Sequence, residues 1–265
     1  MERTVTTVGF TLSSSSASSS SQTSQGQDPR RQPNNVGEII GNQVGGNLQN
    51  TYWMVVFAEE PRPGSGQLRV GTNAGHVFIG VVDFTNPQQP ATTVRGFYST
   101  RPGPGLLRGE TVAGQVRDDG MHVWSVAIGW QINQRQYQAI INRFQADTAQ
   151  PPNYNLFEYN CTNWTFDVLN QEANINWRPQ TRQVRDLRLN VHQTLTPGQT
   201  GWAIWQNPPP ANGRRLTPPQ GASKMPETAM EKEVTYVCKN CSHWGFAIII
   251  LGEDRRSDTS PKSTS

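Results

Sequence analysis

Two spacings of apolar residues run along this chain, and the change from one to the other marks its elements. Tyr52-Trp53-Met54-Val55-Val56-Phe57-Ala58 is a nearly unbroken aromatic and β-branched run closed by Pro61-Arg62-Pro63-Gly64, which predicts a buried strand. His76-Val77-Phe78-Ile79-Gly80-Val81-Val82-Asp83 ends at the turn signal Asn86-Pro87, and Thr92-Thr93-Val94-Arg95-Gly96-Phe97-Tyr98 follows. These predict two strands joined as a hairpin. Gly103-Pro104-Gly105 opens an irregular segment, after which Met121 to Ile128 predicts a fourth strand. The spacing then becomes helical. Tyr137, Ile140, Ile141 and Phe144 share one face of a helix from Gln134 to Asp147, with Asn133 as its N-cap. Pro151-Pro152-Asn153 stops it, and a second helix opens at Cys161 with Trp164 and Val168 on one face.

Outside this stretch the pattern fails. Eight of the nine residues from Ser13 to Ser21 are serine, and the Gln-, Gly-, Pro- and Asn-rich run through Asn35 holds almost nothing apolar. Residues 1–49 are therefore expected to form a disordered leader, because burial cannot offset the entropy of ordering them. Beyond Pro179, repeated prolines separate short apolar pieces such as Trp202-Ala203-Ile204-Trp205, which predicts a Pro-rich extension and tail over residues 179–265. Trp177, Trp202, Trp205 and Trp244 are read as anchors of that tail rather than as a substrate groove. Composition agrees with a partly unpacked chain: of 265 residues 24 are Gly and 19 Pro, and 34% are apolar against a norm of ~45%.

Charge removes several classes of function. The net charge is only +3, from 23 basic and 20 acidic residues, and no basic stripe is present, so no nucleic-acid partner is expected. The longest apolar run, Phe246 to Leu251, is far short of the ~18 residues that suggest a membrane span. No integral membrane segment is expected. The start Met1-Glu2-Arg3-Thr4 leads into serine without the apolar core of a Sec signal. Three cysteines, Cys161, Cys238 and Cys241, leave one unpaired and argue against a disulfide framework. The expectation is a soluble chain, cytoplasmic or exported by a route other than Sec.

The chemistry that remains is that of a thiol. A cysteine becomes nucleophilic when its thiolate is favoured, usually by a helix N-terminus and a neighbouring imidazole. Cys161 has the first by position. Of the four histidines, His76 and His122 fall in predicted strands, and His76, following Asn73-Ala74-Gly75, stands at a sheet end where a helix N-terminus could meet it. Either residue alone would be an ordinary buried side chain; the pair, in this order and context, is the candidate.

Gly75-His76-Val77-Phe78-Ile79-Gly80, then Gly96-Phe97-Tyr98, then Tyr159-Asn160-Cys161-Thr162-Asn163-Trp164, resemble the circularly permuted papain-like group related to NlpC/P60 and lecithin:retinol acyltransferase, in which the histidine strand precedes the cysteine helix. The resemblance covers residues 50 to 178. It implies an α+β fold, an antiparallel sheet packed against helices, with a permuted papain-like (NlpC/P60-like) catalytic domain. It also implies a thiol hydrolase (peptidase or amidase) or acyltransferase, with a peptide, amide or acyl substrate and no cofactor. Cys161 and His76 map onto the family's dyad. The group also occurs among bacterial secreted effectors and cell-wall enzymes, so an effector role is an expectation of the same kind.

The third residue, which orients the imidazole, is open among Tyr98, Arg95, Asp83 and His122. Arg95 would oppose an imidazolium, and strict alternation puts Asp83 on the face opposite His76, so Tyr98 is chosen. The Cys161 backbone N–H is the expected oxyanion donor, with Tyr52 as a conceivable second. Two alternatives belong to other classes. One is a papain-like domain that binds without chemistry. The other is a zinc adaptor built on Cys238-Lys239-Asn240-Cys241 with His192 recruited.

Overall fold

The near-continuous burial of β1 (Tyr52–Glu59) and β2 (His76–Asp83) follows from their place at the centre of a sheet covered on both faces. This computed structural model describes residues 36–64, 74–206 and 209–218. Around the central pair lie β3 (Ala91–Ser99), β4 (Val112–Asp118), β5 (Val126–Ile132), the two-residue β6 (Asn153–Tyr154) and β9 (Arg214–Leu216). Their order across the sheet is β6-β4-β3-β2-β1-β5-β9. Every neighbouring pair is antiparallel. The chain is thus α+β, an antiparallel sheet packed against helices.

Alternation sorts the strand residues onto two faces. Val77, Ile79, Val81, Phe97 and Ile128 meet α3 (Gln134–Ala149) and α4 (Cys161–Glu172) through Ile140, Phe144, Trp164, Val168 and Leu169. Phe57, Phe78, Val82 and Trp124 meet Val36, Ile39 and Ile40 of α1 (Val36–Val44) on the other face. Asn133 caps α3 in a reciprocal box with Gln136. Trp164, fully buried, donates its indole N–H to Asp147 at 2.7 Å, which ties α4 to α3.

Several expectations change here. The stretch read as leader contains α1, whose Val36, Ile39 and Ile40 at i, i+3 and i+4 cover the sheet's second face. The segment opened by Gly103 holds α2 (Pro104–Leu107) and the whole of β4. The fourth predicted strand starts at Val126, and residues 121–125 are loop. The extension is folded as far as Leu216: β7 (Arg182–Arg185) and β8 (Val191–Thr194) form a hairpin, α5 (Pro197–Trp205) buries Ile204 in the core, and β9 joins the main sheet. Trp177 packs on Trp130 and Phe166, whereas Trp202 is half exposed. No helix among the described residues is long and apolar enough to cross a membrane. Cys238, Cys241 and Trp244 lie outside the described residues.

One buried carboxyl fastens α5 to the sheet. Glu60, wholly inaccessible, accepts the Trp205 indole N–H at 3.0 Å and the Gly64 N–H at 3.1 Å. Gly201 lies so close that a Cβ there would stand 2.1 Å from the carboxyl carbon. Burial raises Glu60 from 4.5 to about 7 despite those donors. A folded-state value above the unfolded one means that this group's contribution to stability is complete below pH 4.5 and is lost as pH climbs to 7. Glu60→Gln removes the titration and keeps an acceptor for both donors. Relative to the native chain, the variant is expected to gain about 2–3 kcal/mol between pH 5 and pH 8. Denaturant midpoints at the two pH values check this, and a constant difference between the two proteins would refute it.

Candidate active site

Residue 77 is where the sheet hands over to a helix. Ala58 pairs with Val77 in register, yet the Ala58 carbonyl accepts from Ser125 on the β5 side. The pair is therefore non-hydrogen-bonded, and Val77 points its N–H and C=O away from β1. Strand β3 pairs with β2 only from Phe78 onward. The N-terminus of α4 fills the gap instead, through two residues one turn apart. Thr165 donates its hydroxyl to the Val77 carbonyl at 3.4 Å, and the Val77 N–H donates to the Cys161 sulfur. The packing of α4 on β2 thus delivers the thiol beside residue 76.

The start of α4 is fixed independently. The Asn160 side chain accepts the Thr162 and Asn163 N–H groups, and the Asn163 side chain accepts the Asn160 N–H in return. Asn160 Nδ2 donates to the carbonyls of Leu156 and Leu195 and to Thr194 Oγ1. The cap takes two first-turn N–H groups, and that of Cys161 is not one of them.

On the strand side, Gly75 turns the chain into β2 with φ +78°, and a Cβ there would stand 2.4 Å from the Glu59 carbonyl. His76 follows, 6% exposed, and is hydrogen-bonded to Cys161. Its Nε2 lies 3.0 Å from Asp119 Oδ2, which leaves Nδ1 as the ring nitrogen for the thiol. Tyr98 donates its hydroxyl to Asp119 Oδ1 at 2.7 Å and stacks on the imidazole with ring centres 4.4 Å apart. The order is thus thiol, imidazole, carboxylate and phenol. Thr162 Oγ1 is 3.9 Å from the sulfur.

The charges follow from this geometry. Burial pushes the Cys161 thiol up, but the His76 charge, its hydrogen bond and the Val77 N–H together bring it below the ordinary thiol value. Burial likewise works against a charged His76, and Cys161 and Asp119 outweigh it, raising the imidazole to about 10. Asp119 stays below the usual carboxylate range because the bonds to His76 and Tyr98 outweigh its burial. Both shifts favour a thiolate beside an imidazolium.

Comparison with protein-family models, with curated proteins and with solved structures finds no match to this chain. The case for the site rests on its own geometry.

Cys161 and His76 are brought together. Tyr98 is present too, but as a ring against the imidazole and a donor to Asp119; His76 Nε2 donates to Asp119 and not to the tyrosine, whose hydroxyl is spent on that carboxylate. Arg95 donates to the Val94 carbonyl and pairs with Asp118. Asp83 stands with Tyr52 at the far end of the sheet and accepts from Thr85. Tyr52, seven residues along β1 from the Glu59–His76 pair, is about 23 Å away at strand spacing. It packs on Tyr137 and supplies no oxyanion donor. His122 is near, its ring centre 4.9 Å from that of His76, but its Nε2 meets Glu59 at 3.0 Å. His192, the residue considered for a metal, pairs with Asp186 and stacks on Phe157. Asp119 is the residue that sequence reasoning missed. Its one signal is Asp118-Asp119-Gly120, a turn sequence beside the tyrosine strand.

Gly96, in the strand beside His76, makes the meeting possible. A Cβ there would lie 1.7 Å from Asp119 Oδ2 and 2.6 Å from His76 Nε2. Glycine at this position lets the carboxylate cross a strand to reach the ring.

Proposed function

We propose that this chain is a thiol-dependent acyl-transfer enzyme of the permuted papain-like type, hydrolysing a peptide or amide bond through an acyl-enzyme. The observation that carries the reading is the unbroken hydrogen-bonded line from the Cys161 thiol through His76 to Asp119. The chain order, histidine strand before cysteine helix, within an antiparallel sheet supports the papain-like assignment.

The Cys161 thiolate attacks the acyl carbon, a C–S bond forms, and the carbonyl electron pair moves onto oxygen. The Cys161 N–H, at the positive end of α4 and outside the cap, supports that oxygen. The tetrahedral adduct collapses, the C–N bond breaks, and the departing amine takes the proton held by His76. Water then attacks the thioester, gives a proton to His76, and releases the acid and the Cys161 thiolate, which restores the starting pair; another nucleophile in place of water would make the same step a transfer. Asp119 holds the imidazole in one orientation and favours its charged form, and Tyr98 holds Asp119. A purely binding role rested on the lack of an orienting partner for the imidazole, and Asp119 is such a partner.

Iodoacetamide at pH 6, followed by peptide mapping, tests the reading. Cys161 is expected to be alkylated at least tenfold faster than Cys238 and Cys241, since only a thiol with a lowered pKa is substantially ionised at that pH. Equal modification of all three cysteines would overturn it.

A further inference from the structure

The hydrogen-bonded register extends across the sheet in a row, Phe78 opposite Gly96 and Gly96 opposite Arg117. Residues opposite one another point to the same face. Arg117 therefore stands on the face that carries Asp119 and His76 over Gly96, whereas Arg95, one residue along β3, points to the other. The guanidinium lies over the Tyr98 ring, 5.3 Å from its centre. With the imidazole centre 4.4 Å beyond that ring, Arg117 is at most about 10 Å from His76, a range at which partly sheltered charges still interact.

Unlike Arg95, the other arginine near this end of the sheet, Arg117 has no counter-charge among the described residues. Asp119 is held by His76 and Tyr98, Glu59 by His122, and Asp118 by Arg95. Arg117 is exposed and makes no ion pair among the described residues. An arginine stacked on an aromatic ring has its plane fixed while its N–H groups remain available, an arrangement suited to a carboxylate.

We propose that Arg117 is the specificity residue of this site and that the substrate carries a carboxylate close to the acyl group that is cleaved. The proposal rests on the acyl-transfer reading above and adds the substrate's charge. It assigns Arg117 no part in bond making; its N–H groups hold the carboxylate and so set which acyl group is presented to Cys161.

The test uses the full-length chain and two electrophiles that differ in charge, N-bromoacetyl-β-alanine and its neutral amide. In each the Cys161 thiolate forms the C–S bond and bromide leaves with the C–Br electron pair. The readout is the ratio of the two rate constants for alkylation of Cys161, anionic over neutral. Arg117→Met is expected to lower this ratio about fivefold, as loss of one cation at this distance predicts. The native ratio should also fall in 1 M salt. Arg188→Gln, a charge-matched change on the exposed turn between β7 and β8, is expected to leave the ratio as in the native chain. An unchanged ratio in Arg117→Met, or an equal fall in both variants, would overturn the proposal. Failure of the native chain to react with either reagent at Cys161 has a different signature: it would sink the acyl-transfer reading, and this inference with it.

Discussion

Replacing His76 with alanine is expected to slow alkylation of Cys161 at pH 6 by on the order of 10³-fold. Burial alone would hold the thiol above its ordinary value, and the first force opposing burial is the charge of His76. Without that charge the thiol reverts to a pKa of 9 or above, so about one molecule in a thousand is ionised at pH 6. The shape of the pH profile is as informative as the rate. In the native chain the lowered value of Cys161 and the value of about 10 for His76 favour the reactive ion pair, so the rate should vary with pH far less across neutrality than that of an ordinary thiol. In the variant it should climb nearly tenfold per pH unit from 6 to 9. Stability moves with the same sign. The His76 value is raised from 6.5 to about 10, so its contribution is complete below 6.5 and lost as pH rises to 10. A profile that is flat in both proteins would mean that the imidazole does not govern the thiol.

The parts of this site that were legible beforehand are those written in apolar spacing. β1, β2 and β3 announce themselves because both faces of the central strands are buried, and α3 and α4 because each packs one stripe on the sheet. A histidine opening one such element and a cysteine opening another can be read as neighbours once the elements are paired. Asp119 could not be read in this way. It belongs to the turn after β4, and β4 presents Val112-Ala113-Gly114-Gln115-Val116-Arg117-Asp118 near the sheet's edge, with Gly114 its only buried residue. A strand with little to bury leaves little period, so the turn that follows it had no fixed place. Tyr98 shares the face of the site but stands one link further along the hydrogen-bonded line, donating to Asp119 and not to His76.

The same physics explains the ends. Val36, Ile39 and Ile40 have helical spacing, but two glycines and an Asn-rich surrounding make α1 too weak to stand without the sheet beneath it. In the extension, Leu195, Ile204 and Leu216 are each buried, but they lie far enough apart that no window contains a pattern. Such a segment is held by single anchors and by polar ties such as Trp205 to Glu60, and anchors of that kind have meaning only against a surface already built.

Gly96→Ala is expected to lower the rate of acyl transfer, or of Cys161 alkylation at pH 6, by on the order of 10²-fold or more, a loss comparable to that of Asp119→Asn. The added methyl would occupy the point 1.7 Å from Asp119 Oδ2 and 2.6 Å from His76 Nε2. Neither group can yield cheaply: His76 is stacked on Tyr98 and tied to Cys161, and Asp119 is held by the tyrosine hydroxyl. The carboxylate must leave, and the imidazole loses the partner that fixes its orientation and favours its charge. Because loss of packing could also lower the rate, the decisive measurement is a double-mutant cycle with Asp119→Ala. Once the carboxylate is gone, the closer of the two clashes is relieved and only the 2.6 Å approach to His76 Nε2 remains. Gly96→Ala in the Asp119→Ala background should then cost clearly less further activity than it does in the native chain, and should restore part of the stability that the single variant loses. Independent, additive effects of the two substitutions would show that the glycine serves the sheet and not the line from carboxylate to thiol. Strong non-additivity would tie Gly96 to the reactivity of a sulfur to which it has no direct contact.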